Sequence, residues 1–217
     1  MPVVKFASTE KYLMLKKLLS IGLLMVMNNE AQAAAPDFAA VTAMLQKATG
    51  AEVRPYSTRD FGRDKYAGAI SALVPEDIAE EKMLALRREL PPQWLSFVGT
   101  TNSLASPKPV GAEIVVGPGR EALDILDIAQ TDAVNYGMVT KDLKAHLRLW
   151  DQQYGIDILQ AGTDTIMLKL RKMPADLAAF AREVYEFCPD IVEQGAGTVE
   201  ALEASIREYH GVFLWWD

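Results

Sequence analysis

The sequence has one cysteine, Cys188, and two histidines, His146 and His210, among 217 residues. A lone cysteine excludes an internal disulfide, so thiol content says nothing about redox compartment. With so few soft ligands, carboxylates would have to complete any Cys/His zinc site within one chain. The chain also lacks an excess of positive charge: 22 Lys and Arg stand against 29 Asp and Glu, a formal charge of −7. Phosphate recognition needs clustered cations, so no nucleic-acid partner is expected. The uncharged run Leu18 to Met27 (LLSIGLLMVM) is too short for a transmembrane helix, which needs about 20 residues. Nucleotide motifs are missing too. VVGPGREALD (115–124) has neither the Gly-Lys-Ser/Thr of a P-loop nor a full G-x-G-x-x-G, and reads as a turn ending a strand.

What is present is ordinary globular composition, 50% hydrophobic and 24% charged. That gives enough chain for one large domain or two small ones. Lys11, Lys16 and Lys17 precede the uncharged run, and Ala31-Gln32-Ala33 follows it. A basic segment, an apolar stretch of roughly 7–15 residues and an A-x-A site describe a secretory signal peptide. Residues 1–33 are therefore expected to be a signal, cleaved after Ala33, and the mature chain periplasmic or secreted. Met14 is where a more typical signal would start. The alternative is an amphipathic N-terminal helix of a cytoplasmic protein.

Residues 34–111 read as an N-terminal α/β part. Phe38, Val41 and Leu45 mark a helix closed by Gly50. A strand in 66–74, a helix in 76–90 and a strand in 94–98 form a β-α-β unit. The stretch Thr100 to Gly111 is rich in Ser, Pro and Gly, and suits an exposed loop or boundary. Residues 112–217 read as an α+β domain, starting with a strand at 112–116. VNYGM (134–138) is expected as a short strand and Thr140 as an N-cap. Leu143, Leu147, Trp150 and Tyr154 form one buried helical stripe, and 156–162 and 165–170 form a hairpin. Pro174 is expected to begin a helix, and Thr198 to cap another with Val199, Leu202, Ile206 and Tyr209 inward. VFLWW (212–216) is expected as a final strand buried on both faces, because it reads as a continuous apolar run. The resulting order is ferredoxin-like, β-α-β-β-α-β with an extra helix, which would seat the last strand beside VNYGM.

TDAVNYG (131–137), LRLWDQQYGIDILQAGTDTI (147–166), FAREVYEFCPDIVEQG (180–195) and LWWD (214–217) together carry a resemblance. Over roughly 120–217 the chain resembles the bacterial family known as domain of unknown function 4253. The resemblance implies a C-terminal α+β domain and brings no activity, cofactor or catalytic residue with it.

Candidate chemistry concentrates in FCPDIVEQG. Pro189 pushes Cys188 out of helical geometry, to a helix C-terminus. The dipole there raises a thiol pKa, so Cys188 reads as a small buried residue rather than a nucleophile. Asp190, Glu193 and Gln194 share an inter-helix loop, and Asp217 ends a strand that could emerge beside it. Gathered together, such oxygens could bind a hard cation or act as acid and base. The structural alternative is that Asp190 caps backbone amides and Asp217 is solvated. Asn135 and Tyr136 could line a pocket, and Trp216 adds an aromatic to the same end. No catalytic residue, metal ligand or cofactor is assigned. The leading functional expectation is an exported binding or interaction module that recognises another protein or a small ligand. The alternatives are a carboxylate- or divalent-cation-dependent, hydrolase-like enzyme and an immunity-type protein neutralising a bacterial toxin.

Overall fold

The computed structural model describes residues 38–57, 68–99 and 110–217. The expected signal peptide, 1–33, lies outside them, as do positions 100–109 of the expected boundary loop. The described chain is a mixed α+β structure. In order it forms α1 (Phe38–Thr49), β1 (Val53–Pro55), β2 (Ile70–Val74), α2 (Glu76–Arg87), β3 (Trp94–Gly99) and β4 (Ala112–Pro118). Then come α3 (Ile125–Ala129), α4 (Thr140–Tyr154), β5 (Ile156–Ala161), β6 (Thr165–Leu170), α5 (Leu177–Phe187), α6 (Val199–Tyr209) and β7 (Gly211–Trp215). No helix among the described residues is long and apolar enough to cross a membrane.

All seven described strands join one sheet in the order β1-β2-β4-β3-β5-β6-β7. Neighbours are antiparallel except β3 and β5, which are parallel. The β2-α2-β3 unit forms, but β4 inserts between its two strands. β4 and the β3–β5 pairing thereby carry the sheet from residues before 111 into those after it.

The ferredoxin-like topology does not form, because VNYGM is not a strand. Val134–Tyr136 is a single 3-10 turn, flanked by an isolated bridge between Ala133 and Met138. The amides of Tyr136 and Gly137 bond back to the carbonyls of Ala133 and Val134 at 2.9 and 3.0 Å. Gly137 sits at φ 69°, a left-handed conformation that costs glycine little and reverses the chain. With that strand gone, β7 pairs among the described strands with β6 alone, from Thr165 opposite Trp215 to Lys169 opposite Gly211.

Helix ends depart from expectation at two places. The Asp142 carboxylate accepts the Val139 amide at 3.0 Å, so Val139 is the N-cap and Thr140 the first helical residue. α5 begins at Leu177 rather than Pro174, because the Asp176 side chain caps it by accepting the Ala179 amide at 2.8 Å. Thr198 does cap α6, accepting from the Ala201 amide at 3.1 Å.

The sheet has a core on each side. Under α3–α6, Leu126, Leu147, Trp150, Phe180, Val184 and Ile206 pack on Phe97, Ile158, Ile166, Leu168, Val212 and Leu214. On the other side, Val41 and Leu45 of α1 and Met83 and Leu86 of α2 cover Ala72, Val74, Ile114 and Val116. Arg87 stitches the end of α2 to the sheet, bonding Asp157 at 2.6 Å and the Ile158 carbonyl at 2.8 Å. Tyr209, expected inward, is exposed. The tail is likewise buried on one face only: Val212, Leu214 and Trp216 are in the core, whereas Phe213 is 40% exposed.

Candidate functional site

Asp190 is the centre of the assembly at the C-terminal end. It is 4% exposed, at the end of a chain path that leaves α5 through Cys188 and Pro189. After it, Ile191–Ala196 winds as a wide helical turn, with the Gly197 amide reaching back five residues to the Val192 carbonyl at 2.8 Å. Such wide turns recur at functional sites because they redirect side chains. The Asp190 carboxylate accepts three donors from three parts of the fold. They are the Asp217 amide at 2.9 Å, Gln194 Nε2 at 3.0 Å and the Tyr136 hydroxyl.

These bonds set the electrostatics. Burial pushes the Asp190 carboxyl up, but the three donors outweigh it and hold the group below its ordinary range. The Tyr136 hydroxyl is pushed up to about 12, first by its hydrogen bond to Asp190 and then by desolvation. The other charges acting on it, Glu193 and Cys188, are also acidic groups. Glu193 is exposed and accepts from Tyr185 Oη at 3.1 Å, which raises the tyrosine's pKa as well.

Beneath this surface the last residues are pinned. The Cys188 thiol donates to the Trp215 carbonyl at 2.9 Å, and Trp216 Nε1 donates to the Phe187 carbonyl at 3.2 Å. Cys188 is fully buried, and burial pushes its thiol up to about 11 against the hydrogen bond to Trp215. A thiol so far from ionisation is a poor nucleophile. Gly195 lies against the Trp215 ring so closely that a Cβ there would come within 2.5 Å of Cη2. His146 packs against the aromatic core. It stacks on Phe187 at 3.8 Å with ring planes 4° apart, and burial lowers its pKa against the pull of Glu183.

The structure therefore brings Tyr136, Asp190, Gln194 and the Asp217 backbone into one network, with Glu193 on the same turn. Asn135 is exposed on the 3-10 turn beside Tyr136, and the Asp217 side chain is exposed. Trp216 is 2% exposed and belongs to the core. Reading VNYGM as a strand hid Val134, which is 63% exposed; Val139, just after that segment, is 55% exposed. Among the described residues, no group of three or more His, Cys, Asp or Glu could hold a metal ion.

No curated protein and no solved structure matches the chain. Residues 113–217, from within β4 to the end, match the family described as domain of unknown function (DUF4253). The network around Asp190 lies wholly inside that match, which takes in the C-terminal part of the chain.

Proposed function

We propose that this domain is a non-catalytic binding module, whose recognition surface is the 133–139 loop with Glu193 and Asp217 beside it. The observation that carries the reading is the threefold bonding of Asp190. A carboxylate that accepts from Tyr136, Gln194 and the Asp217 amide is committed to holding three segments together. It is poorly placed to serve as the acid or base of a hydrolase. What those bonds hold out to solvent is Val134, Asn135, Tyr136 and Val139, on a loop closed by its own bridge. The loop's base is fixed as well, since the Asp132 amide bonds the Thr163 carbonyl at 2.9 Å. Exposed apolar and aromatic side chains on a rigid support suit protein recognition, because little conformational freedom is lost on binding.

A photo-crosslinking amino acid at position 134 in cells of the native host tests this. The expected result is a discrete crosslinked product that is absent when the probe replaces Leu149, another exposed apolar residue, on α4. Identical crosslinking at both positions would contradict the reading. We further propose export, with a mature chain beginning at Ala34. It rests on the basic, apolar and A-x-A order of residues 11–33. The intact mass of protein purified from that host checks it, and a chain retaining residues 1–33 in the cytoplasm would overturn it.

A further inference from the structure

An antiparallel sheet with one side in water ordinarily alternates apolar residues inward with polar residues outward. β6 and β7 break that rule. Ile166, Leu168, Val212 and Leu214 face α3–α6 as expected. On the other side Met167 is only half-buried and Phe213 is 40% exposed, with its ring 5.6 Å from that of Trp215. No side chain of β6 or β7 belongs to the core under α1 and α2.

One depression of about 360 Å³ lies on this open half of the sheet, a second of the same size continues from it round the edge strand β7 to Ser205 and Tyr209 of α6, and Met167 and Phe213 line both. Glu76 and Glu80 of α2, with Asp164, line the first; Lys169 and Tyr209 line the second. Among the described residues, no ion pair engages Glu76, Glu80 or Lys169. Lys169 instead donates to the Tyr209 carbonyl at 2.6 Å. Thr165, Met167 and Lys169 share one face of β6, and four strand residues span about 13 Å. The surface thus carries acidic groups in one depression and a basic group in the other, with the apolar pair Met167 and Phe213 between them.

That order is self-complementary. A two-fold axis through Met167 sets the basic end of one copy over the acidic end of the other, and joins the apolar centres. We propose that this half-face is a homodimer interface, with Met167 and Phe213 at its centre and Lys169 of each copy facing the other copy's Glu76 and Glu80. The charges occur in unlike positions on one chain yet meet twice across the axis, so each favourable contact counts twice.

Sedimentation velocity of the full chain over a concentration series tests the proposal. The expected result is a reversible dimer. Lys169→Glu should weaken it about tenfold, as two like-charge contacts replace two opposite ones. The combined variant Lys169→Glu, Glu76→Lys, Glu80→Lys should restore it to within about threefold, which only charges meeting across the axis can do. Phe213→Asp should leave a monomer. Circular-dichroism melts show that each variant is folded, and the charge variants stand independently if Phe213→Asp is not. A wild-type chain that stays monomeric would overturn the proposal. So would a dimer insensitive to Lys169→Glu, or one that the combined variant fails to restore.

Discussion

Val212, Leu214 and Trp216 point from β7 into the helices α3–α6, while Phe213, one position out of phase, is 40% exposed. The two sets are alike in chemistry and differ in what lies opposite them. On the closed side, α5 and α6 directly precede β7, and the chain between them is fastened to its end by Cys188, Trp216 and Asp190. On the open side, α1 and α2 reach only as far as β5. A terminal apolar run is thus evidence of burial on at least one face. Whether the second face closes depends on helices far away in sequence, and among the described residues none extends over it.

The largest expected effect comes from removing both sides at once. Deleting residues 212–217 takes away nearly all of β7 and the core side chains Val212, Leu214 and Trp216, and unpairs the outer backbone of β6. Against a total stability of roughly 5–15 kcal/mol, the truncated chain should lose its cooperative melt by circular dichroism. A single substitution then separates the faces. Leu214→Ala should cost about 2–5 kcal/mol in denaturant unfolding, as expected for a leucine buried completely. Phe213→Ala should cost about 1 kcal/mol or less, measured at concentrations where the chain is monomeric. Equal losses at the two positions would mean that both faces of β7 are closed in solution.

The fastening itself comes next. Asp190→Ala leaves the Asp217 amide, Gln194 and Tyr136 without their acceptor, a loss of about 1–3 kcal/mol. It should also remove part of the acid sensitivity of the fold. The Asp190 carboxyl is held below its ordinary range in the folded state. Its contribution is therefore complete above the ordinary aspartate pKa and fades as pH falls through the lowered, folded value. Wild type should lose more stability than Asp190→Ala over that acidic interval, and parallel pH profiles would count against the assignment. The smallest effect is expected at Cys188. Cys188→Ala removes one weak hydrogen bond and leaves a small cavity, so its melt should stay close to wild type.

Most of the elements were legible because their periodicity is local. The stripe of Leu143, Leu147 and Trp150, the hairpin of β5 and β6, and the Thr198 cap all follow from neighbouring residues. Of the residues grouped at this end, Asp190, Gln194 and the Asp217 backbone meet, since a loop and a chain end can join when the final strand packs beside that loop, whereas Glu193 bonds Tyr185 and the Asp217 side chain is exposed. The partner of Asp190 was not legible. Tyr136 lies 54 positions away, and its segment has the apolar look of a strand, while Gly137 makes it a turn. Sheet order was hidden for a similar reason. The place beside β5 is filled by β3, whose pairing is parallel and short and leaves no periodic trace in the sequence.

The account rests on Asp190 holding the 133–139 loop rigid in front of solvent, and amide hydrogen exchange of that loop measures it directly. Tyr136, Gly137 and Met138 donate their amides within the loop, so they should be protected in the wild type. In Asp190→Ala these three should exchange at least about tenfold faster, while amides in β5 and β6 keep their wild-type rates. Unchanged exchange at 136–138 would show that the loop holds itself, and that Asp190 does not organise the recognition surface.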